Sequence, residues 1–164
     1  MPDSNLIRCL ILACVNTLRG DDGVGPWIAE WAEERFHDEP GIRVISRQQW
    51  TPELAEDIAG ARAVIFIDCS VASCSAAKVP GSVELAPVEP AEENPGLPTH
   101  HLGAPELLVL ARSLFGCSPR EAMLLTVGAG SMELSEEFSD AVTAALPSAC
   151  RQLEEAVLRL LVND

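Results

Sequence analysis

At 164 residues and 17.5 kDa the chain is long enough to bury one sizeable core, and it is expected to form a single domain spanning 1–164. Its 25 acidic against 11 basic side chains give a formal net charge of -14, which argues against nucleic acid and anionic membrane as partners, since both are held through Lys and Arg. With 48% hydrophobic and 22% charged residues the composition is globular rather than disordered, and no apolar run reaches the ~20 residues of a membrane-spanning helix.

Residues 6 to 15 read as a first strand, with the apolar run Leu10-Ile11-Leu12-Ala13-Cys14-Val15 at its end. Asp3 precedes the strand, Arg8 interrupts it and no small-residue cleavage site follows, so no signal peptide is expected. The six cysteines (Cys9, Cys14, Cys69, Cys74, Cys117 and Cys150) are therefore expected to be reduced thiols, mostly buried, in a cytoplasmic protein. Directly after the strand comes Asn16-Thr17-Leu18-Arg19-Gly20-Asp21-Asp22-Gly23-Val24-Gly25, a loop rich in glycine that carries two adjacent carboxylates. Pro26 at a first helical position then opens a helix to about His37, stopped by Pro40-Gly41. Trp27 and Trp31, four apart on this helix, are expected in the core.

Residues 42 to 48 alternate as a second strand. Trp50 beside the following loop is a candidate for partner contact, with local packing as the bland reading. Thr51-Pro52-Glu53 supplies an N-cap hydroxyl, a first-turn proline and an acid for a helix ending near Gly60. Ala63-Val64-Ile65-Phe66-Ile67-Asp68 is a continuous apolar run closed by a carboxylate, the pattern of a central strand buried on both faces. A small, polar loop over 69 to 81 follows, then a strand over 83 to 88 that its internal proline assigns to an edge. An acidic, Pro-rich linker leads to Thr99-His100-His101-Leu102-Gly103, and Pro105 opens a Leu-rich helix to Phe115 with Gly116 as its stop. Residues 121 to 128 form a fifth strand. The span from Ser135 to Val162 is helical in spacing, with Pro147 expected to kink it or split it.

Alternating strands and helices predict a single-domain three-layer α/β sandwich, with a twisted, mostly parallel five-stranded sheet and helices on both faces. If the strand order begins 2-1-3, the carboxyl ends of strands one and three face one crevice, bringing Asp22 near Asp68, and the His100 loop reaches the same edge. Carboxylate oxygens and an imidazole suit divalent Zn, Ni, Mn or Fe(II), and three protein ligands leave positions open for water or substrate. Each residue also has a plainer reading: Asp68 as a turn former, one of Asp21 and Asp22 as a helix cap, and His100 and His101 as ordinary loop residues. No Walker loop, dinucleotide fingerprint, nucleophile elbow or His-Glu-x-x-His helix is present.

Taken together, residues 10 to 25, Thr51-Pro52-Glu53-Leu54-Ala55, Val64-Ile65-Phe66-Ile67-Asp68 and His100-His101-Leu102-Gly103 resemble the [NiFe]-hydrogenase maturation endopeptidases, in order and over nearly the whole length. The Asn-x-Leu-x-x-Asp-(Glu/Asp)-x-x-Gly segment is the most specific part. The resemblance implies an endopeptidase that trims the C-terminal extension of a hydrogenase large-subunit precursor after nickel insertion, with Asp22, Asp68 and His100 as nickel ligands. The nickel would come with the substrate, with Zn or another divalent ion able to stand in for it. Asp21 is then structural, and His101 carries no assigned role. Asp22 or Asp68 would activate the hydrolytic water, or nickel itself would polarise the scissile carbonyl; no covalent nucleophile is implied. A monomer is favoured. Ala13-Cys14-Val15-Asn16 stands where the family usually has Gly-x-Gly-Asn, and Ser46-Arg47-Gln48 where many members have Asp-Gly-Gly, changes that bear on which hydrogenase is served.

Three other functions compete with this one. They are a non-catalytic nickel-binding checkpoint or chaperone module on the same fold, a spore-germination type endopeptidase, and a small-molecule binding protein.

Overall fold

The computed structural model describes residues 6–14, 23–70, 79–92, 102–130 and 137–163. Asp21, Asp22, His100 and His101 lie outside them. The described elements are β1 (Ile7–Cys14), α1 (Val24–Arg35), β2 (Ile42–Arg47), α2 (Leu54–Ala59), β3 (Ala61–Ser70), β4 (Val83–Pro87), α3 (Ala104–Phe115), β5 (Glu121–Gly128) and α4 (Asp140–Val162). The sheet order is β2-β1-β3-β5-β4, all neighbours parallel except the antiparallel edge strand β4. The expected three-layer sandwich, the 2-1-3 order and the edge position of the proline-bearing strand are therefore observed.

Two apolar layers explain why the central strands read as unbroken runs. Cys9, Ile11 and Ala13 of β1, with Ala63, Ile65 and Ile67 of β3, pack under α1 and α4. Leu10 and Leu12, with Val64 and Phe66, face the opposite way, under α2 and α3. A strand covered on both faces needs apolar residues at both parities. Among the described residues no helix is long and apolar enough to cross a membrane.

Several boundaries differ from the sequence reading. β3 runs on through Cys69 and Ser70, which pair with Val127 and Gly128, because β5 still offers ladder partners past Asp68. α1 starts at Val24, with Pro26 third in the helix, where a missing N–H leaves no bond unmade. Thr51 does not cap α2: its hydroxyl bonds the Glu53 carboxylate, which that bond and a backbone N–H hold below the usual Glu range. The chain reaches α2 through turn bonds from Leu54 N–H to the Thr51 carbonyl at 3.1 Å and from Ala55 N–H to the Pro52 carbonyl at 3.0 Å.

Pro147 does not split the last helix, which runs on as one element. A helix-interior proline costs about 3 kcal/mol, whereas each large apolar side chain buried contributes about 1.5–3 kcal/mol. Val142 and Leu146 before Pro147, and Leu153 and Val157 after it, are all buried. Trp27 is 40% exposed rather than core, since the buried stripe of α1 passes through Val24, Ile28, Ala29 and Ala32 and leaves it at the margin. Trp31 is half-buried and meets Phe36 edge-on, with ring centroids 6.2 Å apart. As expected, Gly116 ends α3 in the left-handed region (φ 70°) and donates to the Arg112 carbonyl at 2.9 Å.

The start of α1 lies tight against β1. A Cβ built on Gly25 would sit 2.6 Å from the Cys14 carbonyl oxygen, and backbone on both sides leaves little room to give. Gly25→Ala is expected to destabilise the fold by about 1–3 kcal/mol, read as a fall of about 3–10 °C in the calorimetric Tm.

Candidate functional site

Asp68 is the sequence-derived site residue that the described structure positions. It is half-buried near the carboxyl end of β3, two residues beyond Phe66 and so on the α2/α3 side of the sheet. Its neighbours follow from register. Asp68 pairs with Thr126 of β5, and Thr126 in turn pairs with Glu84 of β4. On the other flank Ala13 pairs with Ile67, so Cys14 falls one step on, beside Asp68. Cys14, Asp68, Thr126 and Glu84 thus form one polar row across β1, β3, β5 and β4, on one face at the carboxyl edge.

The members of the row differ in exposure. Thr126 is 6% exposed, and it is the one buried polar side chain among the described residues. Glu84 is exposed, whereas Cys14 is half-buried and its Sγ donates to the Gln48 carbonyl at 3.6 Å. Beneath the row Trp50 packs edge-on against Phe66, with centroids 5.3 Å apart, so the indole flagged for partner contact is instead built into the α2/α3-side core. Its Nε1 is buried without an acceptor among the described residues.

Asp22 and His100 lie outside the described residues, but the elements that follow them in sequence are described. α1 begins one residue after Gly23, with Gly25 against the Cys14 carbonyl at the end of β1. α3 begins at Ala104, where the Glu106 carboxylate accepts from the Gly103 N–H at 3.0 Å. It returns to the amino end of β5 over a short link, which puts its own start towards the carboxyl edge. Among the described residues no group of three or more His, Cys, Asp and Glu is placed to hold a metal ion. Any set built on Asp68 must draw its other members from elsewhere.

A cavity of about 320 Å³ lies at the other edge of the sheet, between Pro87–Pro90 and Pro119–Met123. It contains no Asp68 and no member of the polar row. The sequence reading missed Thr126 and Glu84. A signal for Thr126 was present, because it is the one polar side chain inside the run Met123-Leu124-Leu125-Thr126-Val127.

The thiols divide by burial. Desolvation pushes Cys9 up to about 12. Desolvation, with the Glu154 charge second, pushes Cys150 up to about 11. Both fit the expected inert thiol, but Cys117 is exposed. Cys74 and the side chain of Cys69 lie outside the described residues.

The class of protein is set by a doubly wound α/β sandwich that presents a half-buried carboxylate at the carboxyl edge of its middle strand, where such sheets gather their ligands. No family model and no curated protein matches the chain. Solved structures do. The hydrogenase maturating endopeptidase HybD from E. coli superposes with a TM-score of 0.74 at 23% identity, covering 93% of each chain. A hydrogenase 2 maturation peptidase from Thaumarchaeota archaeon SCGC_AB-539-E09 is 27% identical over 92% of this chain and 97% of its own, with a TM-score of 0.65. The [NiFe] hydrogenase maturation protease HybD from Thermococcus kodakarensis is 26% identical over 91% and 98%, also with a TM-score of 0.65. Over nearly its whole length the chain is similar to solved hydrogenase maturation endopeptidases, the same family that its sequence motifs resemble.

Thiol accessibility gives a direct check on this geometry. At pH 8 a thiol reagent is expected to label Cys117 first and Cys14 next, leaving Cys9 and Cys150 unlabelled until the protein unfolds, as peptide mapping would report. A folded-state pKa above the unfolded value of 9.0 means the folded protein keeps a proton that the unfolded chain gives up. Stability is therefore unaffected by these two groups below pH 9 and falls between pH 9 and about 12, measurable as a declining urea midpoint that Cys9→Ala flattens.

Proposed function

We propose that the chain is an endopeptidase that removes the C-terminal extension of a [NiFe]-hydrogenase large-subunit precursor once nickel has been inserted. The observation that carries this reading is the likeness to a hydrogenase 2 maturation peptidase and a [NiFe] hydrogenase maturation protease, at 26–27% identity over more than nine-tenths of each chain. The place of Asp68 at the carboxyl edge supports it. Nickel belongs to the substrate here, and Asp22, Asp68 and His100 are the residues proposed to meet it. Asp68 fits such a role chemically, being a half-buried carboxylate whose oxygen suits a divalent ion, and Zn or another divalent ion is expected to substitute. Two carboxylates and one imidazole leave coordination positions for ligands of the precursor. The ion then marks a filled precursor, so an empty one stays uncut.

Hydrolysis of the scissile peptide bond consumes one water, whose proton needs an acceptor. Asp68 is suited to take it, being a carboxylate half-buried at the carboxyl edge of the sheet. Asp22 is the second candidate for that task. The net charge of -14 favours a basic or metal-bearing partner surface. Free thiols at Cys9, Cys14, Cys117 and Cys150 agree with work in the cytoplasm, and a monomer is sufficient for the site proposed.

Intact mass spectrometry of a nickel-loaded large-subunit precursor incubated with the protein tests this. Wild type is expected to release one discrete C-terminal peptide, while Asp68→Ala and His100→Ala each slow release by about 100-fold or more without changing the far-UV spectrum. A precursor stripped of nickel should stay intact. Complex formation without any mass change would instead favour the checkpoint module, and normal processing by both variants would falsify the site assignment.

A further inference from the structure

We infer that Thr126 is a positioning residue for Asp68: its hydroxyl, buried beside the carboxylate, fixes how that carboxylate is presented to the substrate. The inference rests on the endopeptidase reading above. Burial is the first ground. Thr126 is the one polar side chain buried among the described residues, on a strand whose neighbours Leu125 and Val127 are fully enclosed on the other face. Valine has nearly the same shape and would fill the position without a hydroxyl to satisfy. Burying a hydroxyl is costly unless it is hydrogen-bonded, so packing alone gives threonine no advantage.

Position is the second ground. Thr126 pairs in register with Asp68 on one flank and Glu84 on the other, and side chains of paired residues share a face. Adjacent strands run about 4.8 Å apart, so a threonine hydroxyl and an aspartate carboxylate on neighbouring strands come within reach of one another. The two flanking acids compete unequally. Glu84 is exposed, where a hydrogen bond competes with bulk water, whereas Asp68 is half-buried, where a hydrogen bond to a charged group is worth more. The terminal torsion of an aspartate is broad. A donor on one side narrows it, turning a carboxylate oxygen towards the open edge.

The test uses four variants of the full chain: Thr126→Val, which keeps shape and removes the hydroxyl; Thr126→Ser, which keeps the hydroxyl and removes the methyl; Asp68→Ala; and the double variant Thr126→Val with Asp68→Ala. Precursor processing by Thr126→Val is expected to fall about tenfold or more in kcat, with KM changed less than about twofold. Thr126→Ser is expected to recover most of the rate. The double variant should be no slower than Asp68→Ala alone. Wild-type rates for Thr126→Val while Asp68→Ala is inactive would overturn the inference and leave the endopeptidase reading standing; so would a serine variant as slow as the valine one, which would assign the effect to the methyl.

A second measurement does not depend on activity. Urea midpoints of wild type, the two single variants and the double variant form a cycle, and non-additive shifts are expected. Additive shifts would overturn the coupling whether or not any precursor is cut. Failure of the wild type to cleave, with a coupled cycle, would instead count against the endopeptidase reading alone.

Discussion

Parallel pairing of β1, β3 and β5, covered by helices on both faces, is the constraint on which the rest depends. A strand enclosed on both sides tolerates apolar residues at every position, and polar groups are affordable only where the strand leaves the sandwich. Asp68 and Thr126 both stand near that limit, at matched positions on adjacent strands. The apolar runs that build the core therefore also decide where a carboxylate can stand partly shielded from water and still be reached.

Helix starts add the second element. α1 leaves β1 so closely that Gly25 faces the Cys14 carbonyl, and α3 begins with the Gly103 N–H tied to Glu106. Both arrangements fix the ends of the segments that carry Asp22 and His100. Loops on a rigid α/β frame are where such proteins place chemistry, because the frame holds the loop ends while their sequence varies. The departures at Ala13 and Ser46-Arg47-Gln48 lie in or near this frame, around the edge and not at Asp68 itself.

Electrostatics separate the edge from the interior. Cys9 and Cys150 are enclosed thiols whose ionisation is suppressed by burial, so neither contributes charge near neutral pH. Charge gathers at the rim instead, where Asp68 and Glu84 flank the Thr126 hydroxyl. In a chain as acidic as this one, a partner that brings positive charge, whether a metal ion or basic side chains, meets a favourable field.

Local patterning determined the element order, the two-sided burial of the third strand, the edge place of the proline-bearing strand and the glycine stop at Gly116, because periodicity, proline and glycine act over a few residues. The resemblance to the family motifs marked Asp68 as a candidate site residue and implied the peptidase class. Tertiary structure alone decided the rest. Pro147 stays inside one helix because the buried residues on either side of it pack against the sheet. Trp27 stays at the surface because the stripe that faces β1 and β3 is set by small neighbours, and Trp50 turns inward because Phe66 is there to receive it. The polar row of Cys14, Asp68, Thr126 and Glu84 joins residues from four strands far apart in the chain. Their adjacency depends on strand order and register, which no stretch of sequence encodes by itself.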